Sequence, residues 1–296
     1  MSDVQLTVLL ATRNRQHLLA RVLEGYRRAS IPPVRWKLLI VDNGSTDETP
    51  AVLESFKRIL PLEFILEPVA GKNRALNRAL PAAEGRLVVM SDDDAIPSTS
   101  FLTAWTNYLD FDSDFALFGG SIVPLFQRQP PKWLVASKFN FSMMFAERDL
   151  AEGPTDAGSI YGGNMAVSKT IIDKGFRFDE NIGPNALDSG YPMGGETELC
   201  VRVAQSGAKC WFAKQPIVHH IIEANQLELK TWARRAYRTG RGRAYQLHQR
   251  GEVVTPQAPS VAERLSMFSP FAEQRFKSAC AYHLWRGFKD GCKPFK

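Results

Sequence analysis

The sequence lacks long apolar runs, a leader-like start and paired cysteines. No stretch of its 296 residues approaches the ~18 consecutive apolar residues of a transmembrane helix, which argues against a membrane-spanning segment. The start, "MSDVQLTVLLAT", has no basic region and no small-residue cleavage site, so we expect no signal peptide. The four cysteines show no CxxC spacing, which argues against a zinc site or a disulfide scaffold and favours a reducing, cytosolic location.

The common phosphate-cradling and nucleophile motifs are also missing. The sequence contains no GxxxxGK[ST], GxGxxG or GxSxG pattern. A phosphorylated ligand would therefore be held by something other than a glycine-rich loop. The composition, 44% hydrophobic and 23% charged, is typical of a globular chain. The length suits one large α/β domain with an appendage, or two domains.

Positive charge is concentrated near the C-terminus. The net charge is +6, and the segment 230–250, "KTWARRAYRTGRGRAYQLHQR", contains seven Lys or Arg residues and no acid. One interpretation is a solvated helix face. Another is a surface that meets anionic lipid head groups or phosphorylated substrates. No recognition motif supports binding to nucleic acid.

Short apolar runs alternate with helical patterns over the first 91 residues. Strands are predicted over 6–12, 36–45, 62–68 and 85–91, with helices over 15–29, 47–60 and 72–83 between them. This alternation predicts βαβ units and a mostly parallel sheet flanked by helices. Ligands of such sheets bind beyond the carboxyl ends of the strands. One rim should therefore carry Ala11-Thr12-Arg13, Asp42 to Ser45, the 68–73 loop, and Asp92-Asp93-Asp94.

The segment "VVMSDDDAIPS" (88–98) places three carboxylates directly after an apolar strand. Mg²⁺ and Mn²⁺ bind one or two carboxylates together with substrate phosphates. If the segment stays extended, Asp92 and Asp94 share a side and could hold one cation. The alternative is a loop of solvated acids that caps a turn.

With these segments in order, the chain resembles a family 2 glycosyltransferase with the GT-A fold. The resemblance is carried by "TVLLATRNRQHLL", "KLLIVDNGSTDETP", "GKNRALNRAL", "VVMSDDDAIPS", "GGNMAVSK" (162–169), "GGETELCVRV" (194–203) and "PIVHH" (216–220). It covers about residues 4–250. It implies inverting transfer of a sugar from a nucleoside diphosphate donor, a uridine diphosphate sugar being favoured, with Mn²⁺ or Mg²⁺ as cofactor.

The resemblance also assigns roles to residues near the donor. The nucleotide would be bound by Ala11, Thr12, Arg13, Asp42, Asn43, Lys72, Asn77, Asp92 and Asp93. The metal would be held by Asp92, Asp94 and His220, with Asp94 the leading ligand and His219 an alternative to His220. Because the departing diphosphate gains negative charge, a cation bound there would neutralise it in the transition state.

The acceptor side needs a base that removes the proton of the attacking hydroxyl. The frame of "GGETEL" sets Glu196 at the position of the family's base, although relatives often carry Asp there. Glu198 is the second candidate, and its alternative role is to stabilise the helix N-terminus. By resemblance Gly162, Gly163 and Asn164 line the acceptor and sugar site. Trp133 and Tyr161 are candidates for stacking on sugar rings, or for ordinary packing.

We therefore predict a GT-A domain over 3–222 and a basic helical extension over 223–296. The predicted enzyme acts in polysaccharide or glycoconjugate biosynthesis, on a saccharide or glycolipid acceptor. We expect it to be cytoplasmic, with peripheral contact at the inner face of the membrane through residues 230–250. Two alternatives are a sugar-phosphate nucleotidyltransferase and a non-catalytic sugar- or lipid-binding protein on a transferase scaffold. The first would need a glycine-rich basic segment near the N-terminus, and "LLATRNRQHLL" is not one.

Overall fold

A computed structural model describes residues 3–136 and 145–292. Its first part alternates strands and helices in the predicted order. The elements are β1 (Leu6–Thr12), α1 (Gln16–Arg28), β2 (Trp36–Asp42), α2 (Thr49–Lys57), β3 (Leu62–Leu66), α3 (Lys72–Ala79) and β4 (Leu87–Ser91). A 3₁₀ turn, Leu80–Ala82, ends the third helix early, because Pro81 has no N–H to continue it.

The later part mixes short strands with helices of very different length. Its elements are β5 (Ala95–Pro97), α4 (Phe101–Thr106), β6 (Phe115–Phe126), α5 (Lys132–Ala136), β7 (Gly153–Thr155), β8 (Asn164–Ser168), α6 (Lys169–Asp173), α7 (Gly195–Gln205), β9 (Lys209–Ile222), α8 (Leu229–Gln249), α9 (Val261–Leu265) and α10 (Ala272–Gly291). Within the helical extension predicted over 223–296, α9 and α10 are separate helices, since Pro270 lies between them and cannot continue a helix.

The described strands form one sheet in the order β3-β2-β1-β4-β8-β6-β9-β5, with β7 paired to β9. Strands β3, β2, β1 and β4 are parallel, with Thr12 opposite Asp42. Strand β8 runs antiparallel to β4, with Ser91 opposite Asn164. The start of β8 therefore lies at the rim where β1, β2 and β4 end. The α/β class is confirmed, and the strands added after β4 make the sheet mixed.

Both faces of the sheet are buried, as continuous apolar strands require. Along β1, Leu6, Val8 and Leu10 face one core, which α1 covers with Leu19, Val22, Leu23 and Tyr26. Leu9 faces the other core, which α3 covers with Ala75, Leu76 and Ala79. Helices on both faces leave the strand ends as the open edge of the sheet.

The chain divides into two compact units. The first contains the residues up to Leu125, Phe145–Glu180 and Gly195–Ile221, and the second contains the remainder. In the second unit α8 packs closely on α10, and a Cβ on Gly287 would lie 1.9 Å from the carbonyl oxygen of Tyr237. The division into domains at residue 222 stays a prediction. Within the described ranges, no helix is both long and apolar enough to cross a membrane.

Candidate active site

Residues at the ends of β1 and β2 form the first wall of the candidate site. Asp42 is buried, and its Oδ1 accepts a hydrogen bond from the Ser45 N–H at 2.9 Å. Asn43 is also buried and braces the following loop. Its Nδ2 donates to the Glu67 and Val69 carbonyls, and its Oδ1 accepts from Gly71 N–H. Arg13 donates to the Asn43 carbonyl at 2.5 Å, and half-buried Ala11 lies on the same strand end.

The three adjacent carboxylates lie in a turn rather than in an extended strand. The Ala95 N–H donates to the Asp92 carbonyl at 3.1 Å, because β5 must reverse direction to pair with β9. The prediction that Asp92 and Asp94 share a side assumed an extended segment and is wrong in that respect. Each carboxylate instead faces a different partner. Asp93 accepts from Thr12 Oγ1 at 2.7 Å, Asp92 lies 2.7 Å from Lys72 Nζ, and Asp94 lies 3.6 Å from His220 Nε2.

Charge in this turn is only partly compensated. Burial, and next the charge of Asp94, raise the pKa of Asp93 to about 7. Burial alone would raise the pKa of Asp94 too, but its interaction with His220 brings that pKa below the ordinary value. His220 Nδ1 lies 2.8 Å from the Phe145 carbonyl, which can only accept, so Nδ1 donates and Nε2 is directed to Asp94.

Lys72 connects the acidic turn to the candidate base. Its Nζ lies 2.7 Å from Asp92 Oδ1 and 2.8 Å from Glu196 Oε1. Burial opposes the charged form, yet the two carboxylates hold the pKa of Lys72 well above its ordinary value. The sequence predicted Lys72 as a nucleotide ligand but gave no sign of this bridge, since 124 residues separate Lys72 from Glu196.

The two candidate bases have different surroundings. Glu196 lies in the first turn of α7, beside Lys72 and against Gly162, where an added Cβ would be 2.4 Å from Glu196 Cγ. Glu198 forms a bidentate ion pair with Arg202 on the same helix, at 2.7 and 2.8 Å. Glu196 is thus joined to the acidic turn through Lys72, whereas Glu198 pairs with Arg202.

Four further predicted residues lie near the acidic turn or in the neighbouring strands and loops. Gly163 borders the turn, since its Cβ would lie 3.3 Å from Asp92 Oδ2. Asn164 is buried and ties β8 to neighbouring strands through the Ser121 and Pro216 carbonyls, both at 2.9 Å. The Asn77 amide binds the Phe178 backbone and Glu180. His219 lies opposite Ile96 in the pairing of β9 with β5.

The two predicted stacking aromatics lie in different units. Tyr161 directly precedes Gly162, and the Arg148 guanidinium lies 3.6 Å from its ring centroid. Trp133 belongs to the second unit and packs on Phe276, with ring centroids 5.2 Å apart. Arg148 does not stand out in the sequence, because one charged residue in an irregular segment carries no motif.

The residues present fit a divalent cation that is shared with a substrate. Among residues 3–136 and 145–292, no three His, Cys, Asp or Glu side chains are grouped as a complete metal site. Asp94 and the Nε2 of His220 face each other, beside an Asp93 whose pKa is raised partly by carboxylate repulsion. Hard cations accept such a partial set when substrate phosphates supply the remaining ligands.

Comparisons with known proteins identify relatives for this arrangement. Beta-monoglucosyldiacylglycerol synthase of Nostoc sp. is 25% identical over 203 residues, covering 62% of this chain and 39% of that protein. The enzyme of the same name from Synechocystis sp. is 30% identical over 95 residues, or 31% of this chain and 20% of that protein. The chain thus spans less than half the length of these relatives.

Solved structures share the fold at lower sequence identity. A mannosyltransferase from Pyrobaculum calidifontis, in complex with GDP-Man and Mn²⁺, matches with a TM-score of 0.61 at 18% identity, covering 97% of this chain and 74% of that one. S. aureus TarS matches with a TM-score of 0.57 at 14% identity, covering 92% and 44%. The pattern of Glycosyl transferase family 2 matches residues 7–176, more than half of the sequence. The chain belongs to glycosyl transferase family 2, the glycosyltransferases with the GT-A fold.

Proposed function

We propose that this chain transfers a sugar, with inversion, from a nucleoside diphosphate donor to an acceptor hydroxyl. The observation that carries the proposal is the continuous contact from Glu196 through Lys72 to Asp92, next to the pair Asp94 and His220. This contact supports the proposal, because it joins the proposed base to the proposed diphosphate-binding residues. Family membership favours this reaction over nucleotidyl transfer or non-catalytic binding.

In the proposed reaction the acceptor oxygen attacks the anomeric carbon as its proton passes to Glu196. The bond between that carbon and the diphosphate oxygen breaks on the opposite side, and its electron pair leaves with the nucleoside diphosphate. Lys72 orients the Glu196 carboxylate and presents a cation toward the donor. Asp94 and His220 would hold a divalent cation, which offsets the charge that develops on the diphosphate.

The donor is proposed to be a uridine diphosphate sugar and the metal Mn²⁺ or Mg²⁺. Structural neighbours were solved with UDP, UDP-GlcNAc, or Mn²⁺ and UDP-Glc, and one was solved with GDP-Man and Mn²⁺. The acceptor is proposed to be a saccharide or a glycolipid, in polysaccharide or glycoconjugate synthesis. Curated relatives named for a glucosylated diacylglycerol support the lipid option.

A thermal-shift screen of nucleotide sugars, with and without Mn²⁺, tests the donor, because a bound ligand raises the melting temperature by mass action. Asp94→Ala should abolish the Mn²⁺-dependent part of UDP binding in calorimetry. Exposed Asp110 provides the matched control, as Asp110→Ala should bind like the wild type. Unchanged Mn²⁺-dependent affinity in Asp94→Ala would refute the metal assignment.

Glu196→Gln tests the base. It keeps the shape of the side chain but cannot accept the proton, so donor binding should persist while turnover falls by about 10²–10⁴-fold. Exposed Glu54 provides the control substitution, Glu54→Gln. Near-normal turnover in Glu196→Gln, combined with loss in Glu198→Gln, would move the base to Glu198.

We also propose that residues 230–250 contact an anionic membrane surface. Residues 223–296 carry fourteen Lys or Arg against six Asp or Glu, although the whole chain has a net charge of only +6. Part of the basic segment serves internal packing in the second unit. Arg238 donates to the Ser189 carbonyl and Arg241 pairs with Asp188. Exposed Arg234 and Arg243 remain directed to solvent.

An exposed apolar stripe in the same unit supports a lipid partner. Val261, Leu265 and Phe268 follow helical spacing, and Phe268 and Phe271 are 82% and 72% exposed. Exposed apolar side chains and a cationic helix in one unit are features of segments that lie in the membrane interface. The charge selects anionic lipid, and the stripe supplies burial in the headgroup region.

Vesicle flotation of the full chain tests this contact. Binding to phosphatidylglycerol vesicles should exceed binding to phosphatidylcholine vesicles and weaken with salt. Arg234→Gln with Arg243→Gln should weaken it by about 30-fold, at ~1 kcal/mol per cation, whereas Arg21→Gln should not. Leu265→Ser should also weaken it, whereas the same change at Leu187, itself 82% exposed, should not. Equal binding by all variants would refute the proposal.

A further inference from the structure

Arg148 is a fixed cation in the first unit that the proposed reaction does not use. Its backbone exchanges two hydrogen bonds with Ile122, both 2.9 Å long. Its guanidinium lies over the Tyr161 ring, 3.6 Å from the centroid, and Nε donates to the Ser159 carbonyl at 3.2 Å. The backbone pairing and the stack together hold the planar group in one orientation.

The charge of Arg148 has no carboxylate partner within residues 3–136 and 145–292. Neighbouring Asp149 pairs with Lys214 at 3.3 Å instead, and the residues outside those ranges include no Asp or Glu. Within the part of the chain that the structure describes, the other hydrogen bond of the guanidinium is a 3.5 Å contact of Nη1 with the Glu147 carbonyl. Burial lowers the pKa of Arg148, as expected for a half-buried cation without a nearby anion. A half-buried cation of this kind is stabilised when an anion pairs with it.

Two contacts place Arg148 on the side of the candidate base. Tyr161, on which the guanidinium stacks, is followed by Gly162, which lies directly against Glu196. Ile122, the backbone partner of Arg148, has its Cδ1 3.6 Å from the position of a Cβ on Gly163. The first wall of the candidate site, at Asp42 and Asn43, makes neither contact. Arg148 therefore borders the place where an acceptor hydroxyl would approach Glu196.

We propose that Arg148 binds a phosphate group of the acceptor, so that the saccharide or lipid acceptor is an anionic phosphate ester. The proposal rests on the proposed transfer reaction, since it assigns the acceptor side of that site. A guanidinium suits this role because its planar fork can donate two parallel hydrogen bonds to one phosphate. The stack on Tyr161 pre-orients the fork, which lowers the entropic cost of binding. The phosphate could belong to a soluble ester or to a lipid head group.

The test measures binding of glycerol 3-phosphate to the full chain by calorimetry, with glycerol as the uncharged probe. UDP and Mn²⁺ are kept at saturation so that the probe cannot occupy the diphosphate site. The wild type should bind glycerol 3-phosphate and not glycerol. Arg148→Gln should weaken that binding by about 10–100-fold, as expected for a lost charge-assisted pair. Arg148→Lys keeps the charge and loses the planar fork. Its affinity for glycerol 3-phosphate should lie between those of the wild type and Arg148→Gln.

Exposed Arg58 provides the control, and Arg58→Gln should bind the probe like the wild type. A second arm presents phosphatidylglycerol in neutral detergent micelles. A larger effect of Arg148→Gln there than on glycerol 3-phosphate would identify a lipid head group as the source of the phosphate. If the wild type does not bind glycerol 3-phosphate or phosphatidylglycerol, or if Arg148→Gln binds as the wild type does, the proposal is overturned.

Failure of the proposed transfer reaction would be seen separately. It would appear as an absence of a melting-temperature shift with every nucleotide sugar in the thermal-shift screen, whereas the Arg148 variants report phosphate affinity. Melting temperatures and circular dichroism of Arg148→Gln and Arg148→Lys check that each variant is folded. Because Arg148→Lys preserves the stem and the charge, it keeps the test decisive if Arg148→Gln loses stability.

Discussion

Gly162→Ala is the sharpest test of the site geometry, because it moves the candidate base without changing any ionisable group. The added Cβ would lie 2.4 Å from Glu196 Cγ and 2.6 Å from its Oε1. Ordinary carbon contacts need ~3.5 Å. The Glu196 side chain must therefore retreat by about 1 Å, which also breaks its 2.8 Å contact with Lys72. The backbone at Gly162 has no positive φ, so alanine causes no conformational strain of its own.

A displacement of about 1 Å at a reacting group can cost about 10²-fold in rate. That corresponds to ~2.7 kcal/mol in the activation free energy. We therefore expect kcat to fall by about two orders of magnitude in Gly162→Ala, while the Kd of the donor changes little, because the Asp42, Asp94 and His220 contacts are not disturbed. The assay is steady-state release of nucleoside diphosphate, with donor affinity from calorimetry.

Gly158→Ala is the matched control, since among the described residues no atom beyond the chain neighbours of Gly158 lies within 4 Å of its added Cβ. It should keep both kcat and donor affinity. A Gly162→Ala enzyme with near-normal kcat would show that the position of Glu196 is not critical, and would refute its assignment as the base. If donor binding is lost along with kcat, Gly162 would instead be needed for donor binding.

Three further predictions concern stability and reactivity. Asn164→Ala should lower the free energy of unfolding by about 1–3 kcal/mol, because it leaves the Ser121 and Pro216 carbonyls without a buried partner; an unchanged urea midpoint would contradict this. Gly287→Ala should destabilise the second unit by about 1–3 kcal/mol, since its Cβ would meet the Tyr237 backbone at 1.9 Å, whereas exposed Gly158→Ala should leave the urea midpoint unchanged. At pH 8 a thiol-reactive dye should label exposed Cys292 quickly in the native chain and all four cysteines in denaturant. Burial raises the pKa of Cys210 to about 11 and of Cys280 to about 12, and raises that of Cys200 as well, so fast labelling of a second native thiol would refute this argument.

Much of the sheet was predictable because its strands are continuous apolar runs. The predicted strand over 6–12 has the bounds of β1, and the carboxyl ends of β1, β2 and β4 meet at one edge as parallel pairing requires. The antiparallel pairing of β8 with β4 was not predictable, because an apolar run does not show the direction in which it pairs. The break at Pro270 was visible in the sequence, yet the apolar periodicity continues across it.

The sequence named candidate residues for the site but could not show how they pair. Thr12 and Asp93 are 81 residues apart, and Lys72 and Glu196 are 124 apart, so no local pattern connects them. The turn at Asp92 follows from the pairing of β5 with β9, in which Ala95 lies opposite His220. No local pattern connects two residues so far apart along the chain. Residue type alone also failed to show that Trp133 belongs to the second unit.

The pairing explains how three adjacent carboxylates are tolerated. Two unit charges 4 Å apart repel by up to ~4 kcal/mol near a protein surface. Here Asp92 faces Lys72, Asp94 faces His220 and Asp93 accepts from Thr12, so the three groups are directed to three different elements. Because Lys72 also holds Glu196, the acidic turn, proposed for the donor side, and the candidate base, proposed for the acceptor side, share one cation. A change at Lys72 should therefore disturb both halves of the site at once, while Gly162→Ala should disturb only the acceptor half.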